Sequence, residues 1–142
     1  MKYVYVGVFL KKENLMKRIE NLGSRLSKGI EFPHITFQFR PENVNEKLFG
    51  SKIIVKAIGY GNNGKNEGLK VELSSTNPEL QSMIEAIEVP HITLSISDDG
   101  KPVDTRFLSF EDIEPFEICG TFGGFANGKV FTCPSTNQNP LK

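Results

Sequence analysis

Two stretches of this chain are near copies of one another, and they limit what it can fold into more than any other feature. Glu31-Phe-Pro-His-Ile-Thr-Phe-Gln-Phe39 and Glu88-Val-Pro-His-Ile-Thr-Leu-Ser-Ile96 align without a gap, apolar on apolar and polar on polar. The two histidines, His34 and His91, are the only ones in the sequence. After each proline the side chains alternate. His34, Thr36, Gln38 and Arg40 fall on one face, with Ile35, Phe37 and Phe39 on the other; His91, Thr93, Ser95 and Ser97 oppose Ile92, Leu94 and Ile96. Alternation in segments rich in β-branched and aromatic residues predicts a half-buried strand. A side-chain period of two then puts each histidine and the threonine two residues on upon one face. A proline at the mouth of a strand removes one ladder donor only at its end.

The flanking sequence repeats the theme. Tyr3 to Leu10 reads as a strand. Asn14 to Leu26 carries Leu15, Ile19, Leu22 and Leu26 at helical spacing, weakened by Gly23. A turn at 27–30 leads to the first histidine strand, about Phe32 to Arg40, and a polar connection follows with one helical turn at Val44 to Leu48. Lys52 to Tyr60 and Gly68 to Leu73 read as strands around Gly61-Asn-Asn-Gly64. Ser74 to Ile87 reads as a second helix, with Asn77 as N-cap, Pro78 in the first turn and Leu80, Met83, Ile84 and Ile87 facing inward. The second histidine strand, about Val89 to Ser97, closes on Asp98-Asp-Gly100. Residues 107–114 read as loop or short strand, and a final hairpin is expected from Pro115 to Phe122 and Lys129 to Thr132, turning over Gly123 to Gly128. Strand-helix-strand thus occurs twice. The expected fold is α+β and bilobal, from duplicated strand-helix-strand units with mainly antiparallel sheets around a central cleft. It forms one domain over 1–133, with a flexible tail over 134–142.

The 142 residues suffice for one domain with a real core. Acidic and basic residues balance at 17 each, which argues against stable binding of duplex nucleic acid by bulk charge. Cys119 and Cys133 have neither metal-ligand nor redox spacing and read as free, structural thiols of a reducing, cytoplasmic protein. The apolar run Tyr3 to Leu10 is too short for a signal peptide or a membrane span.

A lone histidine on a strand is more often structural than catalytic. Two in equivalent frames, each beside a hydroxyl, reverse that expectation. Imidazoles titrate near neutral pH, so one can act neutral and the other charged. A phosphodiester needs both: a base to activate an attacking oxygen and an acid to protonate the departing one. Threonine hydroxyls can hold the non-bridging oxygens. Two histidines without a cysteine cluster or an HExxH motif do not complete a zinc ligand set, so no metal and no cofactor is expected. Gly59 to Lys65 imitates the front of a phosphate-binding loop, but Asn66 follows where a hydroxyl residue is needed, and a strand follows instead of a helix.

His34-Ile-Thr36 and His91-Ile-Thr93, on strands of two related halves, resemble the paired H-x-[ST] motifs of the two-histidine (2H) phosphoesterase superfamily. That superfamily includes RNA-ligase-like 2′,3′-cyclic phosphodiesterases, and the resemblance extends over most of the chain to about residue 97. It implies a metal-independent phosphodiesterase in which His34, Thr36, His91 and Thr93 surround one phosphate. The substrate would be a 2′,3′-cyclic phosphodiester on an RNA end or small nucleotide. Hydrolysis of 2′-5′-linked or cyclic oligonucleotide signals, and a non-catalytic module reading RNA or nucleotide phosphates, are the alternatives. Gly-Lys-Pro-Val at 100–103 is similar to a compact RNA-repair-like branch. Further substrate contacts are expected from Lys65, Lys101 and, by stacking on a base, Tyr5.

Overall fold

The computed structural model describes residues 1–134. It is α+β, with eight strands in one sheet and all pairings antiparallel. The strands are β1 (Tyr5–Phe9), β2 (Lys28–Gly29), β3 (His34–Phe39), β4 (Lys52–Asn62), β5 (Asn66–Ser74), β6 (His91–Ile96), β7 (Glu111–Ala126) and β8 (Lys129–Phe131). Helix α1 spans Lys12–Arg18 and α2 spans Pro78–Glu85, with 3-10 turns at Glu46–Leu48 and Pro102–Phe107. The spatial order is β2-β6-β5-β4-β7-β1-β3, with β8 paired to β7. The expected tail lies outside the described residues beyond Pro134.

Helix α2 follows its sequence signals. The Asn77 side chain accepts from Leu80 N at 3.0 Å, Pro78 opens the helix, and Leu80 and Ile84 are buried. Each such side chain contributes roughly 1.5–3 kcal/mol through removal from water. Helix α1 is much shorter than its apolar spacing suggests. It ends at Arg18, and Leu22 and Leu26 belong to the connection that follows. The cause lies in β5. Glu67 is fully buried and must be paired. The unwound connection brings Arg25 to it, with Nη2 to Oε2 at 2.6 Å. Tyr60 donates to the same oxygen at 2.5 Å, and Ser95 donates to the other at 2.7 Å.

The last strand pair also departs from expectation. β7 runs unbroken through Gly123 and Gly124, and the turn is confined to Asn127 and Gly128, at φ 54° and 74°. That is the left-handed pair favoured in a two-residue hairpin. Gly124 is a packing residue: a Cβ there would sit 2.4 Å from the Tyr3 ring. Both cysteines are exposed and not packed into the core.

Candidate functional site

Both histidine strands are displaced by the same irregularity. β1 pairs with β3 through Phe9↔His34, Val8↔Ile35 and Gly7↔Thr36, then slips so that Val6 faces Gln38 and Tyr5 faces Phe39. β5 pairs with β6 through Lys70↔His91, Leu69↔Ile92 and Gly68↔Thr93, then slips so that Glu67 faces Ser95 and Asn66 faces Ile96. Each threonine therefore stands opposite a glycine, and one extra residue, Phe37 or Leu94, is inserted just beyond it. Such a bulge reverses the alternation. Gln38 and Ser95 consequently leave the histidine face, contrary to the simple period-two reading. Gln38 lines a cavity of about 130 Å³ with buried Val6 and Phe122, and Ser95 joins the buried Glu67. The glycines are required by the close approach at the bulge. A Cβ on Gly7 would lie 2.0 Å from the Ile35 carbonyl oxygen, and one on Gly68 would lie 2.7 Å from that of Ile92.

The sheet order puts β5, β4, β7 and β1 between the two histidine strands, yet Cα atoms of β3 and β6 come within 8 Å of one another. The connection out of α1 explains this. It runs antiparallel along the outer edge of β6, with Lys28 opposite Ile96, Gly29 opposite Ser95 and Ile30 N donating to Leu94 O at 3.2 Å. Continued toward the start of β6, it delivers His34 to the neighbourhood of His91. The charge of His91 is felt at His34.

The two imidazoles are held alike. His34 Nδ1 lies 2.8 Å from Phe32 O, and His91 Nδ1 lies 2.8 Å from Val89 O. A carbonyl only accepts, so Nδ1 carries the proton in each ring and Nε2 is left for chemistry. Both pKa values are pushed below the ordinary histidine value. Burial is the first cause at His34, opposed by the Phe32 carbonyl and reinforced by the charge of His91. Burial is also first at His91, opposed by the Val89 carbonyl and reinforced by the charge of Arg106.

The surroundings of the two rings differ. Tyr5 stacks on His34 at 4.3 Å between centroids and on Phe125 at 5.2 Å. Its hydroxyl is 3.4 Å from His34 Nδ1, and burial raises the phenol pKa to about 12. Tyr5 thus belongs to the neighbourhood of His34, but its ring is already stacked by protein, which weighs against the expected stacking on a base. Around His91 the neighbours are polar. Lys70 is exposed directly across from it, and Arg106, on the 3-10 helix at Pro102–Phe107 with its guanidinium over the Phe107 ring, acts on it through its charge. Thr93 Oγ1 lies 2.8 Å from Thr105 Oγ1 and 3.2 Å from Pro102 O. Lys101 caps that 3-10 helix, and its carbonyl accepts from Asn66 Nδ2 at 2.7 Å. Lys65 is exposed in the β4–β5 turn, where its carbonyl accepts from Ser97 N at 2.9 Å. Both lysines contact the site's framework through backbone atoms.

Arg106, Lys70, Asn66 and Thr105 have no sequence signal of their own. Only the pairing of β5 with β6, and the return of residues 102–107 over Gly68, brings them to Thr93 and His91. Among the described residues, no group of three or more His, Cys, Asp or Glu is arranged to hold a metal ion, and no helix is long and apolar enough to cross a membrane. No family model matches the chain. No curated protein matches it significantly.

Proposed function

We propose that the protein is a metal-independent phosphodiesterase of the two-histidine type, acting on a 2′,3′-cyclic phosphodiester of an RNA end or small nucleotide. On this reading β1-α1-β3 and β5-α2-β6 are two copies of one unit, and the histidine strands flank a central cleft between two lobes. The observation that carries it is the pair of imidazoles, each anchored at Nδ1 by the carbonyl two residues earlier and each with no hydrogen bond at Nε2 among the described residues. Equivalent bulges and equivalent glycines beside the two threonines support the duplication.

The chemistry follows from two free Nε2 atoms. One, unprotonated, takes a proton from water as the water oxygen bonds to phosphorus. The other, protonated, gives its proton to the ribose oxygen as the bond from phosphorus to that oxygen breaks. The water proton and the donated proton balance, and the phosphoryl group ends as a monoester. His34 suits the base: it is more deeply set and experiences the charge of its partner, both of which favour its neutral form. His91 then serves as the acid. Thr36 and Thr93 donate to the non-bridging oxygens, where charge accumulates.

Turnover of a panel of nucleoside 2′,3′-cyclic phosphates, 2′-5′-linked dinucleotides and cyclic oligonucleotides, with and without a chelator, tests this. The cyclic phosphates should be opened at an unchanged rate under chelation. Activity abolished by chelation and restored by a divalent metal would contradict the mechanism, and phosphate binding without any turnover would leave a binding module.

The pH dependence carries a sign. Loss of the base proton raises kcat/KM, and loss of the acid proton lowers it, giving a bell with two macroscopic values. Both histidines are shifted downward, so the maximum should lie on the acidic side of about 6.5, the unperturbed value. In Arg106→Ala the cationic form of His91 is no longer opposed by that charge. The alkaline limb should move up, and KM should rise roughly 3–10-fold if the Arg106 charge also attracts the phosphate. An unmoved alkaline limb would separate Arg106 from the acid.

A further inference from the structure

Thr36 and Thr93 hold equivalent places in the repeat but stand in different surroundings. Among the described residues, the Thr36 hydroxyl has no hydrogen-bond partner, whereas Thr93 ends a chain of polar groups that reaches into the core. We propose that Asn66 and Thr105 are positioning residues that aim the Thr93 hydroxyl proton at a bound phosphate oxygen, making Thr93 the stronger of the two donors. The proposal rests on the reading of the site as one that takes a phosphate group.

The direction of the chain follows from donor and acceptor chemistry. Asn66 Nδ2 is 2.7 Å from the Lys101 carbonyl, which can only accept, so that end of the amide is the NH2 group. Its second proton goes to Thr105 Oγ1 at 3.0 Å. Thr93 Oγ1 and Thr105 Oγ1 lie 2.8 Å apart, and either hydroxyl can donate across that contact. We take Thr105 as the donor, because it is fully buried, already accepts from Asn66, and has no other acceptor for its proton among the described hydrogen bonds. Thr93, having accepted, must give its proton elsewhere. In the free protein that is Pro102 O, a long bond at 3.2 Å. A phosphate oxygen offers a charged acceptor and a shorter, stronger bond. Each link polarises the next, so the terminal hydroxyl is the best donor of the series.

Gly68 makes the arrangement possible. A Cβ there would lie 2.4 Å from Thr105 Cγ2, so only bare backbone lets the 3-10 helix come down onto Thr93. Gly7 is the equivalent position beside Thr36, and there the clash of a Cβ would be with β3 backbone alone. The Thr36 hydroxyl must therefore be ordered by the ligand itself. The two halves of the site are unequal in preorganisation.

The test measures affinity for inorganic phosphate by calorimetry, beside turnover of a cyclic nucleotide, in Thr105→Val, Thr105→Ser, Thr93→Val and the Thr93→Val/Thr105→Val double variant. Thr105→Val should weaken phosphate binding roughly 3–10-fold, the worth of a hydrogen bond to a charged group. Thr105→Ser, which keeps the hydroxyl, should stay near wild type. The double variant should bind no worse than Thr93→Val, because the relay has nothing left to aim. A folded Thr105→Val that binds phosphate like wild type would overturn the proposal, as would losses that multiply in the double variant. If this pattern holds in a protein that turns over no phosphodiester, the relay stands and the enzyme reading falls. If the wild-type protein fails to bind millimolar phosphate, both fall.

Discussion

His34→Ala and His91→Ala are each expected to lower kcat roughly 10²–10⁴-fold, the range for loss of a positioned acid or base. The two losses should be similar, although the rings sit in unlike surroundings. In the proposed mechanism each proton transfer belongs to the same passage from cyclic ester to monoester, so removing either would leave the other with half a mechanism. The double variant should fall far short of the product of the single losses, as groups acting in one transition state do. The rates should be read beside unfolding curves, because His34 packs on Tyr5 and Phe9 and its loss opens space there. A folded variant that has lost one histidine and retained activity would end the two-histidine account.

The second large effect concerns stability. Glu67 is fully buried and holds Arg25, Tyr60 and Ser95 at once. Glu67→Ala leaves a guanidinium without its counter-charge and two hydroxyls without their acceptor. Breaking a buried pair from one side costs about 3–5 kcal/mol. Arg25 is part-exposed, with 29% of its side chain accessible, which places the expected loss near the lower end. The urea midpoint should drop accordingly. Because Arg25 also fixes the connection leading to β2, the loss should loosen the segment that carries His34 toward β6. Glu67→Gln keeps an acceptor and a similar volume, and should cost clearly less. Equal midpoints for the alanine and wild-type proteins would mean that the cluster contributes nothing.

How far the sequence reveals this molecule depends on the range of the interaction. The strands His34–Phe39 and His91–Ile96 were legible because alternation is local, and the Asn77 cap because it acts within one turn. The side on which Gln38 and Ser95 lie was not legible. It is decided by a bulge, which exists only in the pairing of β3 with β1 and of β6 with β5. Helix α1 was overestimated because Leu22 and Leu26 keep helical spacing while Arg25 is drawn away to a glutamate on another strand. Gly123 and Gly124 read as turn punctuation, but Gly124 is there to admit the Tyr3 ring. Of the candidate site, the His and Thr pairs could be found from the repeat. Arg106, Thr105 and Asn66 could not, since their role arises only when residues 102–107 settle on Gly68.

The central claim is that one phosphate meets both histidines. The most direct measurement is nitrogen-15 NMR of the two imidazoles during titration with a nucleoside 2′-monophosphate. The account predicts that both rings are Nδ1–H tautomers when neutral, that both Nε2 resonances move on addition of the nucleotide, and that the two shifts follow a single saturation curve. Movement of one histidine with the other unperturbed at saturation would contradict it.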